Sequence, residues 1–231
     1  MASLLFLYIC GMKVLICDNI EALGVDFIEK CKEILPEWRC QQMMRYKHLR
    51  GQLQCAVSYL MLQQALYEVT HCVRNEKWVY NEHGKPYFDG SNDLFFSISH
   101  CKNAVAAVVA DEEVGIDIEE ISRYKDNLMK YVLNEEESLE LKGESLEMIA
   151  EKFIRIWTRK EAAFKCYGTG ITHEIKDILK RGDIEIYSMK MGDKWLSVAA
   201  GCISENISVQ IVSIEEVFDF MEKWRNFYKN Q

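Results

Sequence analysis

The apolar residues of this chain recur with two different spacings, and these spacings divide it into strands and helices. The runs LFFSIS and AVAAVVA, on either side of HCKN, are almost entirely apolar and predict two buried strands. Between Trp38 and Val69 the apolar positions return every three or four residues, which predicts one long amphipathic helix. A second long helix is predicted from Glu144 to Lys165, with Gly168 as its C-terminal cap.

The remaining pattern pairs each long helix with a small sheet. Met12–Cys17 and VGIDIEEI predict strands, KWVYN and KPYF predict a hairpin around NEHG, and DIEIYSM, WLSVAAG and ISVQIVSI predict three more strands before a last helix. We therefore expect an α+β fold of two similar lobes, residues 12–115 and 116–231, each with a long helix on a small, mostly antiparallel sheet. The seam between such lobes is a natural place for a ligand.

The first eleven residues, MASLLFLYICG, are apolar but predict neither a membrane span nor a secretory signal. They are too short to cross a bilayer, and they lack the basic start and cleavage context of a signal peptide. The segment MKVLICDNI begins afresh at Met12. We therefore interpret residues 1–11 as an N-terminal extension and expect no membrane association.

Composition and charge narrow the class of protein. The chain has 231 residues, 49% hydrophobic and 28% charged, and its net charge of −8 argues against general nucleic-acid binding. Basic residues cluster between Arg39 and Arg50, while acids dominate from Asp111 to Ala150, so an anion and a cation could bind at different places, although both stretches could simply be solvated helix faces. Nine cysteines without a Cys-x-x-Cys pair indicate free thiols in a reducing cytosol.

The segment GIDIE, residues 115–119, brings two acids to one side of a strand. Asp117 and Glu119 are two residues apart, so their side chains point the same way, while Ile116 and Ile118 point to the opposite face. We expect the isoleucines in the core and the acids at a cleft or in solvent. Adjacent like charges are tolerated when water screens them or a cation neutralises them, so this segment alone leaves both alternatives open.

On the second long helix, Trp157, Glu161 and Lys165 recur every four residues and therefore share one face. Glu161 would complete a set of three carboxylates with Asp117 and Glu119, and carboxylates with phosphate oxygens and water commonly hold Mg²⁺. Lys165 would then face the bound anion. The alternative is an ordinary surface ion pair between Glu161 and Lys165, and we expect Trp157 to pack in the core.

Two further stretches carry polar groups at positions typical of ligand binding. FSISHC places Ser99 and His100 at the end of a buried strand, and GKPY places Lys85 between a glycine and Pro86. The second stretch has a stiff backbone with exposed amides and one positive charge, which suits a nucleotide but is unspecific alone.

In chain order, GKPY, FSISHC, GIDIE and WTRKEAAFK-x-x-G-x-G together resemble the 4′-phosphopantetheinyl transferases, specifically the larger pseudo-dimeric kind that activates surfactin synthetase. The resemblance runs from Met12 to about Ile171 and more faintly through the following strands. It implies that the two lobes are pseudo-symmetric, with the active site at their seam, and that the protein is a monomer in the cytoplasm.

The resemblance implies a role for each matching acid and for one lysine. Asp117, Glu119 and Glu161 would be the ligands of Mg²⁺, which grips the diphosphate of coenzyme A, and Lys165 would lie beside that diphosphate. Glu136, in YVLNEEE, falls where the family often has another glutamate near the incoming hydroxyl. Glu161, or Glu136 through a water, would accept the proton of that hydroxyl, and Lys165 would offset charge or protonate the departing phosphate.

The resemblance also implies a binding site for the nucleotide end of coenzyme A. His100, Lys85 and Pro86, with Ser99 next to them, match residues at the adenosine 3′-phosphate and adenine. Basic residues before and within the first long helix would hold the 3′-phosphate, and here these are Arg39, Arg45, Lys47 and Arg50.

The implied reaction moves the 4′-phosphopantetheine arm of coenzyme A to a serine of an acyl or peptidyl carrier protein and releases adenosine 3′,5′-bisphosphate. The sequence does not say which carrier or pathway is served. Two alternatives remain open: another Mg²⁺-dependent nucleotide or phosphoryl-transfer enzyme using the same acids, and a non-catalytic carrier-binding module.

Overall fold

The computed structural model describes residues 12–72, 74–90, 94–203 and 207–229, with side chains up to residue 225, and within these ranges the chain forms helices and small sheets. The strands are β1 (Lys13–Asp18), β2 (Val79–Tyr80), β3 (Pro86–Tyr87), β4 (Phe95–His100), β5 (Ala104–Ala110), β6 (Val114–Glu120), β7 (Glu185–Met191), β8 (Lys194–Ala200) and β9 (Ser208–Val212). The helices are α1 (Gly24–Ile34), α2 (Glu37–Met44), α3 (Leu49–Thr70), α4 (Met129–Val132), α5 (Glu135–Glu140), α6 (Leu146–Tyr167) and α7 (Ile214–Lys229).

The first sheet has four strands in the order β4-β5-β1-β9. Strand β1 pairs antiparallel with β5 and parallel with β9, so Leu15 lies opposite Ala107 on one side and Gln210 on the other. Because side chains alternate along a strand, Leu15 faces one hydrophobic core and Ile16 the other. Both faces of this sheet are therefore buried.

The second sheet has three antiparallel strands in the order β6-β8-β7. Its Ile116 and Ile118 join Ile16 of the first sheet in the core between the two sheets. Helices α1, α3 and α7 contribute to the core on the far side of the first sheet, which is called here the first core. Helix α6 contacts β6 and β8. The layers thus run helices, sheet, sheet, helix, and the even-numbered isoleucines of GIDIE are in the core as predicted.

The predicted mixture of helices and small sheets is confirmed, and the hairpin of β2 and β3 forms around NEHG. Strand β9 pairs with β1, and Trp224 of α7 is buried in the first core, while the division into lobes of residues 12–115 and 116–231 remains a prediction. The pseudo-symmetry of the lobes remains a prediction. The predicted extension, residues 1–11, lies outside the described residues.

The single helix predicted from Trp38 to Val69 is wrong, because the structure has two helices there, α2 and α3. His48 has an extended backbone at the start of α3, and the preceding turn folds Tyr46 back onto Gly51. A Cβ at Gly51 would lie only 2.7 Å from the Tyr46 Cδ1 atom, so the Tyr46 ring packs this closely because residue 51 has no side chain. The break therefore comes from a contact between residues that helical periodicity does not detect.

Across the ranges described, every helix is too short or too polar to cross a bilayer.

Candidate functional site

Helix α6 lies directly on β6, and Gly115 makes this approach possible. A Cβ built at Gly115 would stand 2.0 Å from the carbonyl oxygen of Ala162 and 2.4 Å from the amide nitrogen of Cys166, both backbone atoms. Asp117 and Glu119 follow Gly115 on the same side of the strand, since side chains alternate. The contact therefore brings the two acids of β6 against the face of α6.

Lys165, Asp117 and Ser99 form a compact triangle where β4, β6 and α6 meet. The Lys165 Nζ donates to Asp117 Oδ1 over 2.7 Å and to Ser99 Oγ over 3.0 Å, and Ser99 Oγ donates to Asp117 Oδ1 over 2.8 Å. Asp117 is only 4% exposed and Glu119 only 7%, so neither acid of GIDIE faces open solvent, and the cleft remains the alternative for both. The second oxygen of Asp117, Oδ2, is buried and finds no hydrogen-bond partner within the described ranges.

The other two carboxylates of the predicted set are coupled electrostatically to this triangle. Burial, followed by the charge of Asp117, raises the pKa of Glu119 to about 7 and that of Glu161 to about 7. Lys165 and Arg123 act in the opposite direction on both groups, and Arg123 Nη1 lies 3.0 Å from Glu119 Oε1. The charge of Asp117 thus acts on both of the other acids that the sequence placed in one set, and the three are named here the carboxylate cluster: Asp117, Glu119 and Glu161.

His100 stands at the end of β4 beside this cluster. Although the residue is exposed at its edge, surrounding atoms desolvate its imidazole and lower its pKa, and the charge of Lys165 adds to this effect. Asp117 acts in the opposite direction. A neutral imidazole can donate one hydrogen bond and accept another, so His100 offers a polar contact beside Lys165.

The carboxylate cluster has the donor chemistry of a magnesium site, since all its ligating atoms are carboxylate oxygens and one of them, Asp117 Oδ2, is buried without a partner. A divalent cation would also offset the charge of Asp117, which adds to burial in raising the pKa values of Glu119 and Glu161. In the arrangement described, however, Lys165 and Arg123 supply the counter-charge. Within the described residues, no three His, Cys, Asp or Glu side chains stand close enough together to hold a metal ion.

Lys85 lies beside the C-terminal end of α6. Its Nζ donates to the carbonyl oxygen of Cys166 over 2.9 Å and contacts the Glu113 carboxylate, while Asn81 donates to the carbonyl oxygen of Gly168 over 2.7 Å. Gly168 has φ of 68°, the left-handed conformation of the predicted C-terminal cap. The GKPY turn is therefore attached to the end of the helix that carries Lys165.

Pro86 and Lys85 also line a cavity of about 360 Å³, together with Tyr87 and Phe95. This cavity is separate from the contacts of the Lys165 ammonium.

Arg39 lies in the first core and not on the surface of the basic stretch. It is 3% exposed, its guanidinium carbon is 4.5 Å from the centre of the Trp78 ring, and its Nη2 donates to the carbonyl oxygen of Cys55 over 2.6 Å. Burial lowers its pKa. These contacts give Arg39 a structural role, because a buried guanidinium between aromatic rings cannot reach a ligand at the surface.

The other basic residues of that stretch are exposed. Lys47 and Arg50 line a cavity of about 620 Å³ between α2 and α3, and Arg50 pairs with Glu21 at 2.6 Å. Arg45 is exposed at the C-terminal end of α2. The structure therefore keeps three of the four predicted basic residues available at the surface.

Glu136 is not brought to the carboxylate cluster. It projects from α5 with 75% of its side chain exposed and pairs with Lys180 at 3.4 Å. Its neighbour Glu137 is the inward-facing acid: it caps α5 through Asn134 and lies 2.7 Å from the buried Nζ of Lys160. The three consecutive acids differ in environment by helical geometry, which the sequence alone did not resolve.

Two residues on the margin of the cluster differ in how well the sequence anticipated them. Trp157 packs against a small hydrophobic core that contains Phe153, and the centres of the Trp157 and Phe153 rings are 6.4 Å apart, as predicted. Arg123 was missed, because a single arginine four residues after Glu119 carries no motif. Only its contact with the buried Glu119 carboxylate identifies it.

The comparisons with known proteins point to one family. Residues 113–200 match the family model of the 4′-phosphopantetheinyl transferase superfamily. The chain is 29% identical over 133 residues to the 4′-phosphopantetheinyl transferase gsp of Aneurinibacillus migulanus, covering 57% of this chain and 55% of that protein. It is 44% identical over 94 residues to the 4′-phosphopantetheinyl transferase AcpT of Salmonella typhi, covering 39% of this chain and 48% of that protein.

A shorter relative is covered more completely. The holo-[acyl-carrier-protein] synthase of Buchnera aphidicola subsp. Acyrthosiphon pisum is 33% identical over 110 residues, which are 44% of this chain and 81% of that protein. The chain belongs to the 4′-phosphopantetheinyl transferase superfamily. It spans about half the length of gsp and of AcpT.

The part that matches the superfamily model includes β6 and α6, and so contains the whole carboxylate cluster with Lys165. Ser99 and His100 of β4 lie outside the matched range. The matched range therefore contains Asp117 and Lys165 of the triangle, while Ser99 lies outside it.

Proposed function

We propose that this protein transfers the 4′-phosphopantetheine arm of coenzyme A to a serine of an acyl or peptidyl carrier protein. The serine oxygen forms a bond to the β-phosphorus, the bond from that phosphorus to the bridging oxygen breaks, and adenosine 3′,5′-bisphosphate leaves. Such a transfer depends mainly on positioning and on neutralising charge.

The observation that carries the proposal is the position of Lys165. Its ammonium is held 2.7 Å from Asp117 and 3.0 Å from Ser99, on the same helix as Glu161, in a superfamily whose named members are phosphopantetheinyl transferases. Since its side chain is 30% exposed, it can contact an anion that arrives from solvent. A surface ion pair would not need the buried partners Asp117 and Ser99.

Mg²⁺ is the proposed metal, with Asp117, Glu119 and Glu161 as its protein ligands. The cation would supply charge neutralisation at the diphosphate oxygens. Lys165 adds a positive charge beside that diphosphate and donates a proton to the departing phosphate. Of the two acids considered for accepting the serine proton, Glu161 belongs to the cluster and Glu136 does not, so we assign this role to Glu161.

The nucleotide end of coenzyme A is assigned to residues that flank the cluster. His100 and Ser99 lie at the end of β4, and Lys85 and Pro86 lie in the turn attached to α6. The exposed basic residues Arg45, Lys47 and Arg50 are proposed for the 3′-phosphate. The monomeric state and the cytoplasmic location remain predictions from the sequence.

One assay separates this function from its alternatives. The protein is incubated with coenzyme A, Mg²⁺ and an apo carrier protein, and the carrier is weighed by mass spectrometry. A gain of one phosphopantetheine group supports transfer. Turnover of coenzyme A without a carrier would indicate a different phosphoryl-transfer enzyme, and carrier binding without a mass gain would indicate a non-catalytic module.

Asp117→Asn provides the matching test of the site, because it removes the charge held by Lys165 without changing the size of the side chain. We expect the rate of mass gain to fall by about 100-fold or more, as for loss of a charged group from a preorganised site. The control is Asp219→Asn on the exposed surface of α7, which should keep the normal rate. Normal transfer by Asp117→Asn would contradict the assignment of the cluster.

A further inference from the structure

A row of polar side chains crosses the second sheet beneath α6. Asp117 on β6 lies opposite Ser197 on β8, and Ser197 lies opposite Ser188 on β7. Residues that pair in this way on neighbouring antiparallel strands point to the same face of the sheet. That face is the one toward α6, because Thr158 of this helix contacts Ser197. The row therefore places a serine hydroxyl next to the carboxylate that holds Lys165.

Three hydroxyl groups form a chain at this row. Thr158 Oγ1 and Ser197 Oγ lie 2.9 Å apart, and Ser188 Oγ lies 2.9 Å from Ser197 Oγ. Thr158 and Ser197 are both fully buried. Neither of these two hydroxyls can replace a lost partner by bulk water, so each has to find its hydrogen bonds within the protein.

The direction of the chain follows from the number of hydrogens. The Thr158 hydroxyl has a single hydrogen, which it donates to the carbonyl oxygen of Arg155 over 3.0 Å. Thr158 therefore accepts from Ser197, and Ser197 in turn accepts from Ser188. With its hydrogen directed at Thr158, Ser197 has none to donate to Asp117. This explains why Asp117 Oδ2 has no partner among the described residues, although a hydroxyl lies beside it on the next strand.

The arrangement matters for the grip of Asp117 on Lys165. Within the described ranges, the Asp117 carboxylate accepts from Lys165 and from Ser99, both through Oδ1. A further hydroxyl donating to Oδ2 would offset part of the carboxylate charge, and the carboxylate would then hold the ammonium less tightly. Ser197 is the hydroxyl placed to do so.

We propose that Thr158 is a positioning residue, which accepts the hydrogen of Ser197 and so turns that hydroxyl away from Asp117. The carboxylate is then left to hold Lys165. The part that Lys165 plays in transfer rests on the proposed function, whereas its hold by Asp117 does not.

Thr158→Val tests the proposal, because valine has nearly the shape of threonine and lacks the hydroxyl. Ser197 then loses its acceptor on α6 and turns to Asp117. The hold on Lys165 is measured by the rate at which an amine-reactive ester acylates it, followed by mass spectrometry of peptides. We expect this rate to rise about threefold, since a partly neutralised carboxylate binds an ammonium less tightly. Acylation of the exposed Lys142 is the internal reference and should not change.

The transfer assay gives a second reading of the same variant. With Thr158→Val we expect kcat to fall about tenfold and the KM for the carrier protein to stay near its normal value, since a contact of the transition state is weakened and carrier binding is not. Thr158→Ser keeps the hydroxyl and should restore both the acylation rate and kcat.

Two serine variants separate this role from simple attachment of the helix. Ser197→Ala removes the hydroxyl that would turn to Asp117, so Lys165 should be held normally, both in this variant and in the double variant with Thr158→Val. Ser188→Ala is the matched control, because it removes a hydroxyl contact of the same length, 2.9 Å, and leaves the contact between Thr158 and Ser197 in place.

The outcomes separate this proposal from its alternatives. If Ser197→Ala loosens Lys165 as much as Thr158→Val does, and the double variant is no better, the chain only attaches α6 to β8 and the proposal is wrong. Unchanged acylation of Lys165 in Thr158→Val would mean that Ser197 turns to Ser188, which also overturns it. The expected acylation pattern in a protein that modifies no carrier would support the positioning role and contradict the transferase function.

Discussion

Helices α3 and α6 are both 22 residues long and both lie on a sheet, but they differ in what covers their outer sides. Helix α3 contacts α1, α2 and α7 as well as the first sheet, and thirteen of its residues are buried. Helix α6 has nine buried residues and keeps positions such as Arg155 in solvent. A helix covered on all sides mainly stabilises the fold. A helix on the outer face of a sheet also has charged side chains at its edges, which contact the core and solvent at once.

The polar groups of the two helices follow from this difference. In α3 the buried Gln63 exchanges hydrogen bonds with the backbone of Arg74, so its polarity is used within the scaffold. In α6 Lys165 reaches across to Asp117 and remains 30% exposed. The comparison indicates that the chemistry of this protein depends on how α6 sits against β6, and less on α3.

The largest effect is expected from Gly115→Val, which tests the contact between α6 and β6. The new side chain would meet backbone atoms of Ala162 and Cys166 that cannot move alone, so we expect a loss of about 3 kcal/mol or more in the free energy of unfolding. Urea denaturation measures the loss. The comparison in α3 is Gly51→Ala, where the Tyr46 ring can rotate away and alanine favours the helix, so the change should stay below about 1 kcal/mol.

A smaller contrast is expected between two lysines of α6. Lys160 is fully buried and donates to Glu137 and to the carbonyl oxygens of Val132 and Lys176, so Lys160→Met should reduce the free energy of unfolding by about 3 kcal/mol. Lys165→Met should cost less than Lys160→Met, because the Lys165 side chain is partly solvated while Lys160 is fully buried.

The same two variants should rank in the opposite order for activity, with the larger loss for Lys165→Met. Lys165→Met should lower carrier modification about 100-fold, measured by mass spectrometry at a temperature where both variants are folded. Equal loss of stability in the two variants would contradict the assignment of Lys160 to the scaffold and Lys165 to the site.

The smallest effect concerns the thiols of the two helices. Burial raises the pKa of Cys55 in α3, and it raises the pKa of Cys166 in α6 to about 11. Because a raised pKa leaves less thiolate at neutral pH, alkylation at pH 8 should modify the exposed Cys72 and Cys202 well before either buried thiol.

Between the two buried thiols, Cys166 should be labelled first, because α6 is covered on fewer sides and opens more readily. Mass spectrometry of digested samples at increasing times gives the order. Labelling of Cys55 before Cys166 would reverse the proposed difference between the helices.

Local patterns predicted the parts of the site that depend on local geometry. The four-residue spacing of Trp157, Glu161 and Lys165 correctly gave one helix face, and Gly168 correctly gave its end, because both follow from the helical repeat. The alternation of β6 correctly separated Ile116 from Asp117. Each of these results needs only the backbone of a single element.

The errors came from contacts between side chains that no periodic pattern shows. The break before α3 depends on Tyr46 packing on Gly51, and the burial of Arg39 depends on Trp78, 39 positions further along the chain by residue number. Arg123 was missed because its ion pair matters only when the Glu119 carboxylate is buried, which the sequence does not show. The return of β9 to the first sheet has no local signal at all.

That return links the order of synthesis to the completion of the first sheet. Lys13 of β1 and Gln210 of β9 are 197 residues apart, yet their side chains share a hydrogen bond of 2.8 Å. Until β9 has left the ribosome, the backbone groups on that edge of β1 have no strand to pair with, and loop closure over such a distance is slow. A nascent chain therefore carries an open strand edge for most of its translation, and a chaperone that shields β1 would act during that interval.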